Sequence, residues 1–85
     1  TVLNTVAQEP TNPQVFHTGM ADIGYFRSPD GGRTMQQITR DISNNIKNIS
    51  PALGQPGRIY ATGPRGHDWY VNELFISDDS GLTWR

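Results

Sequence analysis

The longest loop that the sequence predicts, and the richest in polar and aromatic side chains, is GPRGHDWYVNE, at residues 63–73. Trp69 and Tyr70 offer flat apolar faces on which sugar rings can stack. Three further side chains in the run can hydrogen-bond to hydroxyl groups: Arg65, His67 and Asp68. Apolar faces combined with a few placed polar groups are typical of a binding pocket, so we predict carbohydrate contact here. The alternative is that Tyr70 begins a strand and that one of the two aromatic side chains packs inside the fold.

The candidate acidic residues lie in turns. Asp22 is part of a short polar turn, GMADIG at residues 19–24, and Asp30 and Asp79 lie in two further turns. A carboxylate in such a place can act as a general acid or bind calcium. A turn aspartate can equally be solvated or accept a backbone N–H group. At each of these positions the aspartate therefore has two possible roles, one in chemistry and one in the structure of the turn.

The turns that hold Asp30 and Asp79 share one spaced pattern. Residues 28–35, SPDGGRTM, and 77–84, SDDSGLTW, both read Ser-x-Asp-x-Gly-x-Thr, and their serines are 49 residues apart. The serine hydroxyl and the aspartate carboxylate can accept backbone N–H groups, and the glycine supplies a positive φ. Trp84 is expected to cover the second turn from the core side. The matching positions are Ser28, Asp30, Gly32 and Thr34 in the first turn and Ser77, Asp79, Gly81, Thr83 and Trp84 in the second.

Short runs with strand propensity, separated by turn signals, predict the elements that position these residues. The predicted strands of the first half are Val2–Ala7, Gln14–Thr18, Ile23–Arg27 and Met35–Thr39. Those of the second half are Ile46–Ile49, Arg58–Thr62 and Tyr70–Ile76, with a last strand beginning at Trp84. Residues 39–49 carry isoleucines at helical spacing, but adjacent asparagines and β-branched residues favour a connector that leads into a strand.

The repeat extends upstream of the two turns. Residues 10–19, PTNPQVFHTG, resemble residues 51–63, PALGQPGRIYATG, in an alignment that matches Phe16 with Tyr60. This alignment places three extra residues in the second proline-rich turn and five more before the second serine. Four short antiparallel strands that recur about every 40–50 residues are typical of β-propeller blades.

We therefore predict an all-β fold of two four-stranded antiparallel propeller blades, residues 1–40 and 41–85, with the second blade incomplete. A propeller ring needs about four to eight blades. The partners of this chain are then the remaining blades of a larger propeller or further copies of itself, and the first is favoured.

The repeated turn resembles the Asp box, or BNR repeat. That repeat occurs between the third and fourth strands of propeller blades in sialidases, sortilin-type receptors, xyloglucan-cleaving glycosidases and related proteins. The second turn matches in full, whereas Met35 stands in the first turn where tryptophan is usual. The resemblance implies that the boxes lie opposite the substrate cleft and serve the fold, so we assign Asp30 and Asp79 structural roles.

The stretch TGMADIGYFR, residues 18–27, also resembles a segment of the xyloglucan-cleaving glycoside hydrolases. There Gly-x-x-Asp-(Ile/Leu)-Gly-x-Phe carries one of two catalytic carboxylates. The matching residues are Gly19, Asp22, Ile23, Gly24 and Phe26, with Tyr25 where glycine is frequent. The resemblance implies that Asp22 is a general acid and that its partner carboxylate comes from a distant part of the ring. The chain alone is then expected to be inactive, and no spacing ties Asp68 to Asp22.

Composition excludes several other classes. The net charge of −1, without a basic run, argues against nucleic-acid binding. No apolar run approaches the roughly 18 residues that span a membrane. Cysteine is absent, and His17 and His67 lack ligand spacing, so we predict no metal and no cofactor.

Three functional hypotheses remain open. The first is a part of an extracellular glycoside hydrolase that acts on a β-glucan such as xyloglucan, with a polysaccharide or oligosaccharide as its partner. The second is a non-catalytic propeller module for binding or assembly, of the sortilin or photosystem-assembly kind. The third is a two-blade unit that forms a ring with further copies of itself.

Overall fold

The computed structural model of the protein describes residues 2–64 and 71–85. A four-stranded sheet contains β1 (Leu3–Gln8), β2 (Phe16–Met20), β3 (Gly24–Ser28) and β4 (Gln36–Ile38). A three-stranded sheet contains β5 (Asn48–Pro51), β6 (Ile59–Pro64) and β7 (Asn72–Ser77). Neighbouring strands are antiparallel in both sheets, and strand order follows chain order.

The predicted all-β class is confirmed, and the architecture fits a piece of a β-propeller. Within the described ranges there is no helix, and hence none that is long and apolar enough to cross a membrane. The seven strands of the two sheets were all predicted, with bounds displaced by one or two residues, and residues 39–47 form the predicted connector without regular structure.

The pairing at the end of the chain repeats that of the first sheet. Arg85 and Ile76 exchange two backbone hydrogen bonds, of 2.9 and 3.0 Å. The equivalent positions 49 residues earlier are Gln36 and Arg27, which are also partners, across β3 and β4. The predicted strand at Trp84 is therefore represented by this one pair of residues.

The strand register corrects the sequence alignment of the two halves by one residue. Phe16 lies opposite Ser28, and Ile59 lies opposite Ser77, so Phe16 corresponds to Ile59 and not to Tyr60. The β1–β2 and β5–β6 loops consequently have equal lengths, at residues 9–15 and 52–58. The extra residues of the second half all lie between β6 and β7.

The two sheets pack face to face, and the core lies between them. Side chains alternate between the faces of a strand. We call the face that carries Tyr25, or its equivalent Leu74, the front face, and the opposite face, with Phe26 or Phe75, the back face. The front face of the first sheet packs on the back face of the second. The buried apolar cluster between them consists of Tyr25, Ile46, Ile49, Ile59, Ala61, Phe75 and Trp84.

Candidate functional site

The candidate residues are separated between two ends of the molecule. Successive loops of an antiparallel meander emerge at alternating ends. The β2–β3 turn with Asp22, and the ends of β6 and β7 that residues 65–70 join, therefore lie at one end, which we call the loop end. The two Ser-x-Asp-x-Gly-x-Thr turns lie at the other end, which we call the turn end.

The connector at residues 43–46 joins the two halves of the loop end. The Ser43 hydroxyl hydrogen-bonds to the carbonyl oxygen of Pro64, at the end of β6. A side chain at Gly24 would approach the Ser43 carbonyl oxygen to 3.0 Å, and one at Gly63 would overlap the carbonyl oxygen of Asn45. Glycines at the ends of β6 and the β2–β3 turn thus allow the connector to pack closely against both, which fixes their relative positions.

Asp22 occupies an exposed and unusual place in the β2–β3 turn. Its φ is +70°, in the left-handed region that aspartate tolerates better than most residues. The turn is fixed on its far side, where Gln37 Nε2 donates to the Ile23 carbonyl oxygen at 2.6 Å. Among the described residues, the Asp22 side chain has neither a hydrogen-bond nor an ion-pair partner. Its carboxyl group is thus open to solvent and to an incoming ligand.

The predicted carbohydrate contacts lie outside the described residues. All five fall between β6 and β7, and they remain predictions: Arg65, His67, Asp68, Trp69 and Tyr70. The described chain meets this segment at Pro64 and Asn72, which face each other across β6 and β7. Of the predicted functional residues at the loop end, Asp22 is the one that lies within the described residues.

In the first turn, Ser28 and Asp30 bind the backbone of the residues that follow them. The Ser28 hydroxyl accepts the Gly32 N–H at 2.8 Å and donates to Asp30 Oδ1 at 2.9 Å. Asp30 in turn accepts the Thr34 N–H at 2.9 Å and the Thr34 hydroxyl at 2.7 Å. These hydrogen bonds from Thr34 lower the pKa of Asp30. Both carboxylate oxygens accept hydrogen bonds within the turn, so the side chain of Asp30 stabilises the turn.

The second turn repeats this geometry at the same positions. The Ser77 hydroxyl accepts the Gly81 N–H at 2.8 Å, and Asp79 accepts the Thr83 N–H at 2.8 Å and the Thr83 hydroxyl at 2.5 Å. Burial opposes ionisation of Asp79, but the hydrogen bonds from Thr83 outweigh it and lower the pKa. Trp84 is buried and donates to the Gly81 carbonyl oxygen at 2.9 Å, so it covers the turn from the core side.

Both turns also dock on the preceding loop of their own sheet in the same way. Gly31 N donates to the Gln14 carbonyl oxygen at 2.7 Å, and Ser80 N donates to the Gly57 carbonyl oxygen at 2.9 Å. Equivalent loops thus receive equivalent turns, which supports the corrected alignment of the two halves.

A buried polar chain at the turn end was missed by sequence reasoning. His17 Nε2 donates to Glu9 Oε1 at 2.9 Å, and the Tyr25 hydroxyl donates to His17 Nδ1 at 2.5 Å. Burial lowers the pKa of His17, against the opposing effect of Glu9, and burial raises the pKa of Tyr25. His17 and Tyr25 are fully buried and Glu9 is nearly so. These three hydrogen-bonded side chains are therefore part of the core and do not form a solvent-accessible catalytic site.

The second turn completes this polar chain from the other sheet. The Ser80 hydroxyl donates to Glu9 Oε1, while Arg27 donates to the Ser80 carbonyl oxygen at 2.7 Å and to its hydroxyl at 3.0 Å. Ser80 lies 71 residues from Glu9 and 53 from Arg27. No local spacing in the sequence signals such contacts, because they depend on the packing of one sheet on the other.

The described residues contain no group of three or more His, Asp or Glu side chains that could hold a metal ion. His17 is engaged on both ring nitrogens by Glu9 and Tyr25. His67, the other histidine, falls in the segment that the structure does not describe.

Two packed antiparallel meanders with the same hydrogen-bonded turn after their third strand define a fold of the β-propeller type. No protein-family model matches the chain. It is 31% identical to a xyloglucanase of Hypocrea jecorina over 85 residues, which cover 96% of this chain and 9% of that protein. This similarity agrees with the resemblance to xyloglucan-cleaving glycosidases at the level of sequence.

The chain is similarly close to a second kind of protein. It is 32% identical to the vacuolar protein sorting/targeting protein 10 of Aspergillus oryzae, over 99% of this chain and 6% of that protein. The protein of the same name from Sordaria macrospora is 34% identical over 66% of this chain. The chain thus spans less than a tenth of the length of these relatives, which divide between a glycan-related and a sorting-related name.

Proposed function

We propose that this chain is part of an Asp-box β-propeller glycoside hydrolase that cleaves a β-glucan such as xyloglucan, and that Asp22 is its general acid. The observation that carries this proposal is the environment of Asp22. Its exposed carboxyl group, without a partner among the described residues, lies in a turn held by Gln37, within a motif like that of the glycosidases. The similarity to a xyloglucanase over nearly the whole chain supports the same substrate class.

In this mechanism the Asp22 carboxyl group donates its proton to the glycosidic oxygen as the bond to the sugar ring breaks. An inverting enzyme needs a second carboxylate about 6.5–9.5 Å away to activate water on the opposite side of the ring. We assign that carboxylate to another blade of the propeller. The chain supplies the acid half of the pair, and the two-blade unit by itself is inactive.

The segment between β6 and β7 would provide the sugar-binding surface beside Asp22. Trp69 and Tyr70 stack on sugar rings, and Arg65, His67 and Asp68 bind the hydroxyl groups. The connector at residues 43–46 supports this arrangement, because it packs against the ends of both loops. A glycan substrate of this kind is consistent with a protein that enters the secretory pathway and acts outside the cell.

The test is the substitution Asp22→Asn in a protein that joins this chain to the remaining blades. Loss of a general acid should lower kcat on xyloglucan by at least about 100-fold, with little change in the thermal midpoint because the side chain makes no hydrogen bond or ion pair among the described residues. Asp41→Asn is the matched control, since Asp41 is also an exposed aspartate with positive φ. Unchanged kcat in Asp22→Asn, or an equal loss in Asp41→Asn, would remove Asp22 from the catalytic role.

A second candidate function is a non-catalytic module that binds a protein or peptide. The matches to vacuolar protein sorting/targeting protein 10, over as much of the chain as the xyloglucanase match, favour it. In that case the full protein would not hydrolyse xyloglucan either with or without the substitution Asp22→Asn, and Trp69→Ala would weaken peptide binding instead. Measuring both activities on the same preparation distinguishes the two functions.

A further inference from the structure

Two sheet faces of the described structure are uncovered and carry exposed apolar side chains. On the back face of the first sheet, Val6 is 54% exposed, and it lies in a row with Thr18 and Phe26. On the front face of the second sheet, Leu74 is 57% exposed and lies beside Thr62. By strand alternation, no position of either face within the described strands carries a charged residue.

The uncovered back face has the composition of a face that is buried elsewhere in the same chain. Its residues correspond, position by position, to the back face of the second sheet, which packs against the first. The corresponding pairs are Val6 and Ile49, Phe16 and Ile59, Thr18 and Ala61, and Phe26 and Phe75. In the second sheet all four positions are buried. The back face of the first sheet is therefore built like one side of a blade-to-blade contact.

The uncovered front face is matched to the first turn and not to the second. In the contact between the two sheets, Ser80 of the second turn hydrogen-bonds to Arg27 and Glu9 of the first sheet. In the first turn, Gly31 stands at the position of Ser80. On the second sheet, Ile76 and Ala52 stand at the positions of Arg27 and Glu9. The turn residue and the two positions that receive it thus change together from polar to apolar.

The same matching holds for the large side chain that closes each turn. Trp84 packs edge-to-face on Tyr25, with ring centroids 5.1 Å apart. In the corresponding contact, Met35 of a first turn would meet Leu74, and Met35 is 43% exposed in this structure. A flexible thioether fits against an exposed leucine without any unsatisfied polar atom.

We propose that the front face of the second sheet binds the back face and first turn of a second copy of this chain, in a head-to-tail contact that repeats the contact between its own two sheets. The contact is heterologous, so it continues from copy to copy until the rotation closes a ring. Three or four copies would give a ring of about six or eight blades. This inference concerns the 85-residue chain on its own and does not depend on the proposed hydrolase activity; in a protein with further blades, those blades would occupy the same two faces.

The test is the mass of the 85-residue protein by sedimentation equilibrium, from on the order of 1 μM to 1 mM. We expect the mass to rise with concentration above the 9.5 kDa of one chain. Leu74→Glu and Val6→Lys should each shift association about tenfold or more to higher concentration, because each places an unpaired charge in the contact. Asn44→Glu is the control, since Asn44 is exposed and lies in the connector at the loop end, outside both faces.

Mixing the two variants tests the head-to-tail geometry itself. Leu74→Glu keeps an intact back face and Val6→Lys an intact front face, so the mixture should stop at pairs of about twice 9.5 kDa. If circular dichroism shows that Leu74→Glu is unfolded, Asn48→Glu takes its place, because Asn48 is an exposed position of the same front face. An unsubstituted protein that stays at 9.5 kDa throughout, an equal effect of Asn44→Glu, or a mixture that grows beyond pairs would each overturn the proposal.

Discussion

Ser77 holds the second turn through hydrogen bonds that no other side chain replaces in the described structure. Its hydroxyl is fully buried and accepts the N–H groups of Gly81, at 2.8 Å, and Asp79, at 3.3 Å. Because the buried Gly81 N–H would lose its acceptor, Ser77→Ala should lower the free energy of unfolding by about 1–3 kcal/mol. Ser50→Ala, at an exposed strand position, should change it by less than about 0.5 kcal/mol in the same urea titration. Equal effects of the two substitutions would contradict this account of the turn.

His17 makes stability depend on pH, because burial lowers its pKa below the ordinary value of 6.5 in the folded protein. The unfolded chain then binds a proton more readily than the folded one. The free energy of unfolding should therefore fall as the pH drops below about 6.5, by at most about 1.4 kcal/mol per pH unit. Urea unfolding at several pH values between 5 and 8 measures this slope.

One variant tests whether His17 is the group responsible. His17→Gln should flatten the slope between pH 5 and 8, since the group that excludes the proton is gone, although the protein will be less stable throughout. A slope that survives His17→Gln would assign the pH dependence to other groups.

At the scale of elements, the two turns have the same internal geometry but different surroundings. Substitution of an equivalent glycine in each turn separates the effect of the geometry from that of the surroundings. Gly32 and Gly81 have φ values of +95° and +86°, and each occupies the same position in its turn. A Cβ atom at Gly32 would contact nothing within 4 Å, whereas one at Gly81 would overlap the Tyr25 hydroxyl of the other sheet. Gly81 thus lies in the contact between the sheets.

Gly32→Ala should cost about 1–2 kcal/mol, the penalty of the left-handed conformation alone. Gly81→Ala should cost clearly more, because it adds the displacement of Tyr25 and of the buried hydrogen bond to His17. Thermal or urea midpoints of the two variants give the comparison directly. If both variants lose the same stability, the second turn does not hold the sheets together in the way described.

The sequence predicted each of the seven strands, but it predicted their first and last residues less accurately. Each of the seven strands begins one or two residues later than the apolar pattern predicts. Val15 shows the reason: it is buried, yet it precedes β2, because burial begins before the first inter-strand pair forms. Apolar patterning reports burial, whereas strand limits depend on pairing with the next strand.

At the scale of the whole molecule, the packing of the two sheets leaves one face of each sheet and the loop end uncovered. The core between the sheets uses one face of each, so the remaining faces are available for a neighbouring blade or copy. Asp22 and the ends of β6 and β7 lie together at the loop end, away from both turns. A ring of blades would therefore gather several such loop ends around one opening, where a polymeric ligand could bind.

The sequence by itself determined the all-β class, the strand order and the two repeated turns, because these depend on short-range patterns and on side chains two to six residues apart. It also singled out Asp22 from its local motif. Only the tertiary structure decided that Phe16 corresponds to Ile59 and that Asp22 has no partner among the described residues. It alone joined Glu9, His17 and Tyr25 to a serine in the other sheet. These features arise from register and from the packing of one sheet on the other, which bring together residues that no local spacing relates.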